Sequence, residues 1–406
     1  MTTQSDTIYA LSSTPGRSAL SIVRITGKNA FFIIEKITMG KIKKIKHQTS
    51  RCCCIYNINN DLIDEVVISF YFSPKSYTGE NLAEITTHGN PVIIDMLFNT
   101  LEQLGLRLAN PGEFTSRAYH NKKIDLVQAE STLSVINAKS KAGVQSSLQG
   151  LTGSLSNKLK KTKQLLVLSL GELEYELDIS EIDNSKKVIN RAEANIKKTI
   201  FEMEKLINTH DSASLLRDGA RVVIIGEPNA GKSTLLNSLI GYERAIVTDT
   251  PGTTRDTIES LIYFSNYPVL LSDTAGIRKT DNKIERIGIN KTKEQIKSAD
   301  IIYNIQSNKK AKNYITDTGK TIKIYNKSDL MKKREVLELQ KRDPGCIIIS
   351  AKDKTGLNEL RLRTENLLKL KTNSSESLFL SSKRQQGALI RSVKHLENAI
   401  TKKSLC

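Results

Sequence analysis

The sequence predicts a chain of mixed class: a small α/β domain, then an all-α helical domain into which a second α/β domain with a mostly parallel sheet is inserted. Three observations predict this arrangement. Short β-branched runs with Gly and Pro turns fill the first part of the chain, long helical periodicity follows, and apolar strands then alternate with helical segments. The predicted domains are 1–118 (α/β), 119–214 (helical, first part), 215–371 (inserted α/β) and 372–406 (helical, second part).

Composition limits the class of protein. Of the 406 residues, 38% are hydrophobic, which suits globular domains with real cores. The sequence contains neither an apolar run of the roughly 18 residues that cross a bilayer nor a signal-peptide pattern, so we expect a cytoplasmic protein without a membrane partner. The net charge of +18 suits a polyanionic partner, but because lysines are scattered along the chain it leaves nucleic-acid binding and background composition equally open.

The five cysteines do not form a recognisable site. Three of them, Cys52, Cys53 and Cys54, are consecutive, a spacing that fits neither a zinc site nor a disulfide framework. We interpret them as reduced thiols in or beside a strand.

Two stretches of the helical region place apolar residues on one helical face. The first stripe contains Leu126, Ala129, Leu133 and Ile136, and the second contains Leu155, Leu159, Leu166, Leu170, Leu173 and Leu177. Such stripes usually pack in a core, so we expect both to be buried.

The inserted domain begins with a phosphate-binding motif. "GEPNAGKST", residues 226–234, fits G-x-x-x-x-G-K-[ST] directly after the strand "RVVII" and before the helical "LLNSLI". Glycines let backbone N–H groups surround the phosphates, Lys232 neutralises the β and γ phosphates, and the Ser233 hydroxyl ligates Mg²⁺. The motif in this context predicts a P-loop nucleotide site.

Further motifs complete the nucleotide site, and two of them, "NKSD" and "SAK", select guanine as the base. "DTAG", residues 273–276, also follows a strand, so its carboxylate can reach the Mg²⁺ shell and its glycine N–H the γ phosphate. In "NKSD", residues 326–329, Asp329 faces the N1 and N2 donors of guanine, which adenine lacks, while Asn326 and the Lys327 stem brace the base. "SAK", residues 350–352, can offer a backbone N–H to the guanine carbonyl, and "TDTPGTTRD" supplies a switch threonine. The combination predicts a Ras-like GTP-binding domain.

The predicted GTP contacts follow these motifs. They are Asn229, Ala230, Gly231, Lys232, Ser233, Thr234, Thr248, Asp249, Thr250, Pro251, Gly252, Thr253, Thr254, Asp273, Thr274, Ala275, Gly276, Asn326, Lys327, Asp329, Ser350, Ala351 and Lys352.

Hydrolysis needs a substitute for a missing glutamine. Ile277 stands where many GTP hydrolases hold a glutamine that orients the attacking water. Asn229 could hold a monovalent cation in the place of an arginine finger, and Glu285, in "KIERIG", could orient the water. On the sequence alone, a solvated acid at a helix start is the favoured interpretation of Glu285, and a water-orienting carboxylate is the alternative.

Several runs resemble one family. "TPGRSALSIVRITG", "SYTGENLAEITTHGNPVI" and "NPGEFTSRAYHNKKIDLVQAES", together with "PNAGKST", "GTTRD", "DTAGIRKTDNKIERIGI" and "NKSD", resemble the MnmE (TrmE) family of tRNA-modification GTPases over nearly the whole chain. The first three runs weigh most because other GTPases lack them. The resemblance implies a folate-binding and dimerising N-terminal domain and a G domain that dimerises in the presence of potassium. It also implies a homodimer that, with an FAD-dependent partner protein in a hetero-oligomer, modifies carbon 5 of the wobble uridine in certain tRNAs, using a tetrahydrofolate one-carbon unit.

The resemblance also implies site residues. Arg24, Glu84 and Lys123 match the contacts of 5-formyltetrahydrofolate, a pairing that suits the donor edge of a pterin and the folate carboxylates. The implied metal ligands are Ser233 and Thr254 for magnesium and Asn229, Thr248, Thr250 and Thr253 for potassium. Glu285 is implied to orient the hydrolytic water, so Glu285 and Lys232 are the predicted catalytic residues.

The end of the sequence differs from the family pattern. Family members continue further and finish in a C-x-G-K ending, whereas this sequence stops at "ENAITKKSLC" with no Gly-Lys after Cys406. We therefore expect a shortened helical domain with partly uncovered apolar stripes. Two alternatives stay open: a truncated GTP-binding remnant without tRNA-modifying activity, and an RNA-binding switch GTPase of ribosome assembly, against which the N-terminal runs argue.

Overall fold

The computed structural model describes residues 6–42, 45–179, 182–242, 259–265, 267–273, 294–306, 319–372 and 378–403. The chain divides into two units, Met1–Ala129 and Glu130–Cys406. Within the described ranges, no helix is both long and apolar enough to cross a bilayer.

The first unit is built on a six-stranded sheet. Its strands are β1 (Ile8–Leu11), β2 (Ser18–Thr26), β3 (Thr49–Tyr56), β4 (Leu62–Tyr71), β5 (Leu82–Gly89) and β6 (Arg107–Leu108), in the order β3-β4-β5-β2-β1-β6. Neighbouring strands are antiparallel except β1 and β6. The helices are α1 (Ala30–Ile37), α2 (Pro91–Gln103) and α3 (Glu113–His120).

Buried and more exposed side chains alternate along β2 and β5, so one face of the sheet packs in the core and the other does not. Val23, Ile25 and Ile85 are buried in the core together with apolar residues of α1 and α2. Their neighbours Arg24 and Glu84 are only half-buried and lie directly opposite each other in the β2–β5 register. Because successive strand side chains point to opposite faces, this pair lies on the sheet face away from the core.

A buried arginine organises the start of α3. Arg117 is 5% exposed, and its guanidinium contacts the carboxylates of Asp6 at 2.7 Å, Glu113 at 2.9 Å and Glu80 at 3.2 Å. Arg107 bonds Asp6 and Glu113 at 2.8 Å each. Hydrogen bonds from Arg107 lower the pKa of Glu113 to about 2. The network joins the N-terminal segment, the loop before β5 and α3.

We expect Glu113→Gln to destabilise the first unit by about 1–3 kcal/mol at pH 7, because it removes one partner of a largely buried charge network. The folded-state pKa lies below the ordinary value, so this carboxylate stabilises the fold above about pH 4.5 and loses that contribution as pH falls toward 2. Hydrogen exchange of β1 and β6 peptides in the full chain measures the effect. Exchange should be faster in the variant at pH 7, with the difference reduced at pH 3. A difference independent of pH would contradict the linkage.

The cysteine run lies in a strand at the edge of this sheet. Cys52, Cys53 and Cys54 belong to β3 and are free thiols, which confirms their interpretation. Burial raises the pKa of Cys53 to about 11, so its thiol remains protonated at neutral pH.

The second unit contains helices and a separate sheet. The helices that precede the sheet are α4 (Leu126–Asn137, which begins in the first unit), α5 (Lys141–Leu151), α6 (Ser154–Ile179) and α7 (Ile182–Asp218). α6 and α7 pack against each other, and the final helix, α11 (Lys383–Lys403), packs on α7. Helices thus flank the inserted sheet in sequence, as predicted, although the exact domain boundaries remain predictions.

The predicted burial of the α4 stripe is wrong. Leu133 is 62% exposed and Ile136 is 74% exposed, whereas Ser131 and Ser134 are buried. Ser131 lies against Gly150 of α5, where an added Cβ would come within 2.2 Å of its Oγ. Close packing through small residues therefore determines which face of α4 is buried, and the apolar stripe is left outside. On α6, Leu155 is buried whereas Leu170 is 55% exposed, which agrees with the expectation of a partly uncovered stripe and not with that of a fully buried one.

The inserted domain has the predicted, mostly parallel sheet. Its strands are β7 (Ala220–Gly226), β8 (Glu259–Phe264), β9 (Tyr267–Asp273), β10 (Ile301–Gln306), β11 (Thr321–Tyr325) and β12 (Ile347–Ile348), in the order β12-β11-β10-β7-β9-β8. β8 alone among these strands runs antiparallel to its neighbour. The helices are α8 (Lys232–Tyr242), α9 (Lys333–Arg342) and α10 (Leu357–Thr372). Its core is rich in Ile, Leu and Val from the sheet, α8 and α10.

Candidate guanine nucleotide site

Three predicted motifs meet at one edge of the second sheet. The phosphate loop follows β7 and leads into α8, "NKSD" follows β11, and "SAK" follows β12. These strands are parallel, so their carboxyl ends lie at the same edge, where ligands bind in open α/β sheets. Asp273 ends β9, whose register places it beside Ile224 of β7 at this edge.

The phosphate loop has a conformation that requires glycine. Gly231 has a φ of +93°, and a Cβ there would lie 2.2 Å from Asn326 Nδ2. Asn229 has a φ of +62° and is exposed. The Lys232 ammonium donates to the carbonyl oxygens of Gly226 at 2.9 Å and Glu227 at 2.8 Å. The lysine is therefore held across the mouth of its own loop, where a phosphate would bind.

Asn326 connects the three motifs. Its side chain is 2% exposed; Nδ2 donates to the Ala230 carbonyl at 2.9 Å, and Oδ1 accepts from the Ala351 N–H at 3.0 Å. The sequence predicts that Asn326 braces the base and that "SAK" offers an N–H to guanine. The observed contacts show a second role, because the Asn326 amide holds the phosphate loop and the "SAK" loop in a fixed relative position.

Asp329, the predicted guanine partner, is oriented by a serine. Ser350 Oγ donates to Asp329 Oδ1 at 2.7 Å and accepts from the Asp353 N–H at 3.1 Å. Asp329 itself is exposed, which leaves its carboxylate accessible to a base. Lys327 has a φ of +66°, and this turn separates Asn326, which points inward, from Asp329.

Ser238 was not predicted as a site residue. It lies on α8, and its hydroxyl donates to the Ala351 carbonyl at 2.6 Å, which ties the helix after the phosphate loop to the "SAK" loop. No motif marks this serine in the sequence, so only the tertiary structure reveals it.

Several predicted residues lie outside the described ranges. They are Thr248, Asp249, Thr250, Pro251, Gly252, Thr253, Thr254, Thr274, Ala275, Gly276 and Glu285. Two predicted oxygen donors lie within the described ranges: Ser233 is an exposed residue in the first turn of α8, and Asn229 is an exposed residue of the phosphate loop. Hydroxyl and amide oxygens are of the type that the implied cations prefer. In the residues that the structure describes, no cluster of three or more His, Cys, Asp or Glu side chains could hold a metal.

The predicted folate residues lie in the first unit. Arg24 Nε donates to Glu84 Oε1 at 2.7 Å, and the Arg24 guanidinium lies 5.8 Å from the centroid of the Tyr77 ring. Lys123 follows α3 and packs beside Gly79, where an added Cβ would lie 3.2 Å from Lys123 Cγ. Thus the loop of residues 77–79 contacts both cations. Tyr77, which is 37% exposed, is a residue that the sequence did not single out.

We expect Asn326→Ala to weaken GTP binding by about ten- to a hundredfold. The substitution leaves the buried Ala230 carbonyl and Ala351 N–H without their partner, at a cost of about 1–3 kcal/mol, and releases two loops of the site. Titration with a fluorescent GTP analogue measures the dissociation constant. Asn304→Ala is the control, since Asn304 is buried in the same sheet and its side chain has no hydrogen-bond partner among the residues that the structure describes. Equal affinity of the two variants would contradict the role of Asn326.

Comparison with known proteins supplies the family. A model described as the MnmE helical domain matches residues 126–405, and one described as the GTP-binding protein TrmE N-terminus matches residues 7–123. The tRNA modification GTPase MnmE of Lachnoclostridium phytofermentans is 35% identical over 98% of this chain and 90% of its own length. The chain belongs to the MnmE family. Two further MnmE relatives are each 36% identical: that of Clostridioides difficile, over 97% of this chain and 89% of its own length, and that of Fervidobacterium nodosum, over 94% and 84%.

Membership of the MnmE family confirms the predicted resemblance and the predicted fold class. The N-terminal match covers Arg24, Glu84 and Lys123, and the match to the helical-domain model spans the sequence on both sides of the inserted sheet. The comparisons assign no role to individual residues, so the site residues remain predictions.

Proposed function

We propose that this chain is a GTP hydrolase that acts in tRNA modification. The observation that carries the proposal is the junction at Asn326, where one buried amide holds the phosphate loop and the "SAK" loop together while Ser350 orients Asp329. This arrangement offers an ammonium and backbone N–H groups to phosphates and a carboxylate to guanine. The MnmE relatives are named tRNA modification GTPases, which supports the same activity here.

The proposed hydrolysis relies on positioning and charge. Lys232 neutralises the β and γ phosphates, and Asp329 selects guanine through its N1 and N2 donors. Ser233 and Thr254 would hold Mg²⁺, and Asn229, Thr248, Thr250 and Thr253 would hold K⁺; these cations supply positive charge around the phosphates. Glu285 accepts a hydrogen bond from the attacking water and orients it, the task for which Ile277 has no polar group.

The proposed modification uses the first unit as well. Arg24, Glu84 and Lys123 bind 5-formyltetrahydrofolate or a related tetrahydrofolate: the carboxylate pairs with the donor edge of the pterin and the cations with the folate carboxylates. The contact between Arg24 and Tyr77 supports a shared site, since an aromatic ring can cover a pterin. We further propose a homodimer that acts with an FAD-dependent partner on carbon 5 of the wobble uridine.

Complementation tests this proposal. A bacterial strain that lacks its own MnmE is given this chain, and the wobble uridine of its tRNAs is analysed by mass spectrometry. We expect the modified nucleoside to return, and to be absent with a Lys232→Ala variant. If the unmodified chain hydrolyses GTP but restores no modified nucleoside, the chain is a GTP-binding remnant rather than a modifying enzyme.

A further inference from the structure

The hairpin of α6 and α7 has one strongly basic end. Residues 157–163 and 197–205 contain seven lysines and two glutamates, a net charge of +5. We define the basic end by seven residues: Lys158, Lys160, Lys161, Lys163, Lys198, Phe201 and Lys205. Toward its other end α6 is acidic, with Glu172, Glu174 and Glu176. General lysine enrichment would not produce this polarity along one helix.

Two side-chain contacts between α6 and α7 determine which parts of the two helices lie side by side. Lys158 forms a salt bridge with Glu202, and Asn195 Nδ2 donates to Ser169 Oγ at 2.8 Å. The contact residue on α6 moves from 158 to 169 while its partner on α7 moves from 202 back to 195. The two helices are therefore antiparallel. This register places residues 158–163 of α6 beside residues 197–205 of α7. The lysine-rich segments of the two helices therefore lie side by side at one end of the hairpin.

An exposed aromatic ring lies within the basic end. Phe201 is 55% exposed, and the Lys205 ammonium lies 4.4 Å from its ring centroid. Lys198, Phe201 and Lys205 are three and four residues apart, so they share one face of α7. A phenyl ring surrounded by cations matches the sites at which proteins stack unpaired bases while binding the neighbouring phosphates.

We propose that the basic end binds RNA, with its lysines on backbone phosphates and Phe201 stacked on an unpaired base. The proposal rests on the proposed function, because tRNA is the RNA on which this chain would act. A membrane surface is also anionic, but a helix that binds membranes needs a broad apolar face beside its cations. Within residues 157–163 and 197–205, Phe201 is the one strongly exposed large apolar side chain.

The test measures the salt dependence of tRNA binding. The probe is a transcribed tRNA with uridine at the wobble position, and the variant is Lys161→Gln/Lys198→Gln/Lys205→Gln. Each lost phosphate contact should reduce the slope of log affinity against log salt by about one, so we expect a slope reduced by two to three and at least about tenfold weaker binding near 0.1 M salt. Phe201→Ala should weaken binding about five- to a hundredfold without changing the slope.

A matched control separates local contacts from net charge. Lys332→Gln/Lys333→Gln/Lys341→Gln removes the same charge from exposed positions at and along α9 of the inserted domain, and should retain both affinity and slope. All variants should retain GTP turnover.

If the unmodified chain binds tRNA and the α6/α7 variant binds it with the same slope, the surface proposal is wrong. If the α6/α7 substitutions instead abolish binding to anionic phospholipid vesicles and leave tRNA binding intact, the partner is a membrane. Failure of the unmodified chain to bind tRNA would count against the proposed function itself.

Discussion

Replacement of Lys232 by alanine is expected to reduce kcat/KM for GTP by about a hundred- to a thousandfold. The ammonium lies at the start of α8 and bonds the carbonyl oxygens of Gly226 and Glu227, so it is already positioned at the mouth of the phosphate loop. In the proposed mechanism, the same charge faces the phosphate oxygens on which negative charge develops during transfer. Removal of one such preorganised donor typically costs about 2.7–4 kcal/mol.

Steady-state GTP hydrolysis at several nucleotide concentrations measures this effect. Lys333→Ala, an exposed lysine at the start of α9, is the control and should leave kcat and KM unchanged. The Lys232 variant should show both a lower kcat and a higher KM, because the ammonium contacts phosphate in the ground state and in the transition state. A loss below about tenfold would show that Lys232 does not have the proposed role.

Replacement of Glu285 by alanine is expected to reduce kcat by about a hundredfold or more and to leave the affinity for GTP unchanged. A side chain that orients the attacking water interacts with the reacting atoms mainly in the transition state, and such general-base or water-positioning groups contribute about 10²–10⁴-fold. The Glu285 variant should therefore change kcat alone, whereas the Lys232 variant should change both kcat and the affinity for GTP.

Single-turnover hydrolysis, with GTP affinity measured in parallel, tests the role of Glu285. Glu294→Ala provides a matched control, since Glu294 is an exposed acid nine residues further along the chain. If the two variants hydrolyse GTP at the same rate, Glu285 is a solvated acid, the alternative that the sequence left open.

The sequence was sufficient to predict those parts of the site that depend on local chemistry. A phosphate loop needs glycine where the backbone approaches phosphate, and Gly231 shows why: its φ is positive, and a Cβ would collide with Asn326. The order of apolar strands and polar motifs was likewise enough to predict a mostly parallel sheet, because each motif must follow a strand to reach the carboxyl edge.

Contacts between distant segments could not be predicted in the same way. Asn326 bonds residues 96 positions before it and 25 positions after it, and no local pattern specifies either partner. The exposed leucine of α4 shows a related limit. Periodicity identifies an apolar stripe, but Ser131 and Gly150 allow a closer helix approach than Leu133 does, so the small residues determine the buried face.

We propose that this member of the MnmE family hydrolyses GTP with the help of a monovalent cation. The most direct test is the rate of phosphate release by the purified chain from GTP and from ATP, in KCl and in NaCl at equal ionic strength. We expect turnover of GTP that is several times faster in KCl and no turnover of ATP. Equal GTP rates in the two salts would contradict the cation's role, and absence of GTP turnover in both would contradict the proposed function.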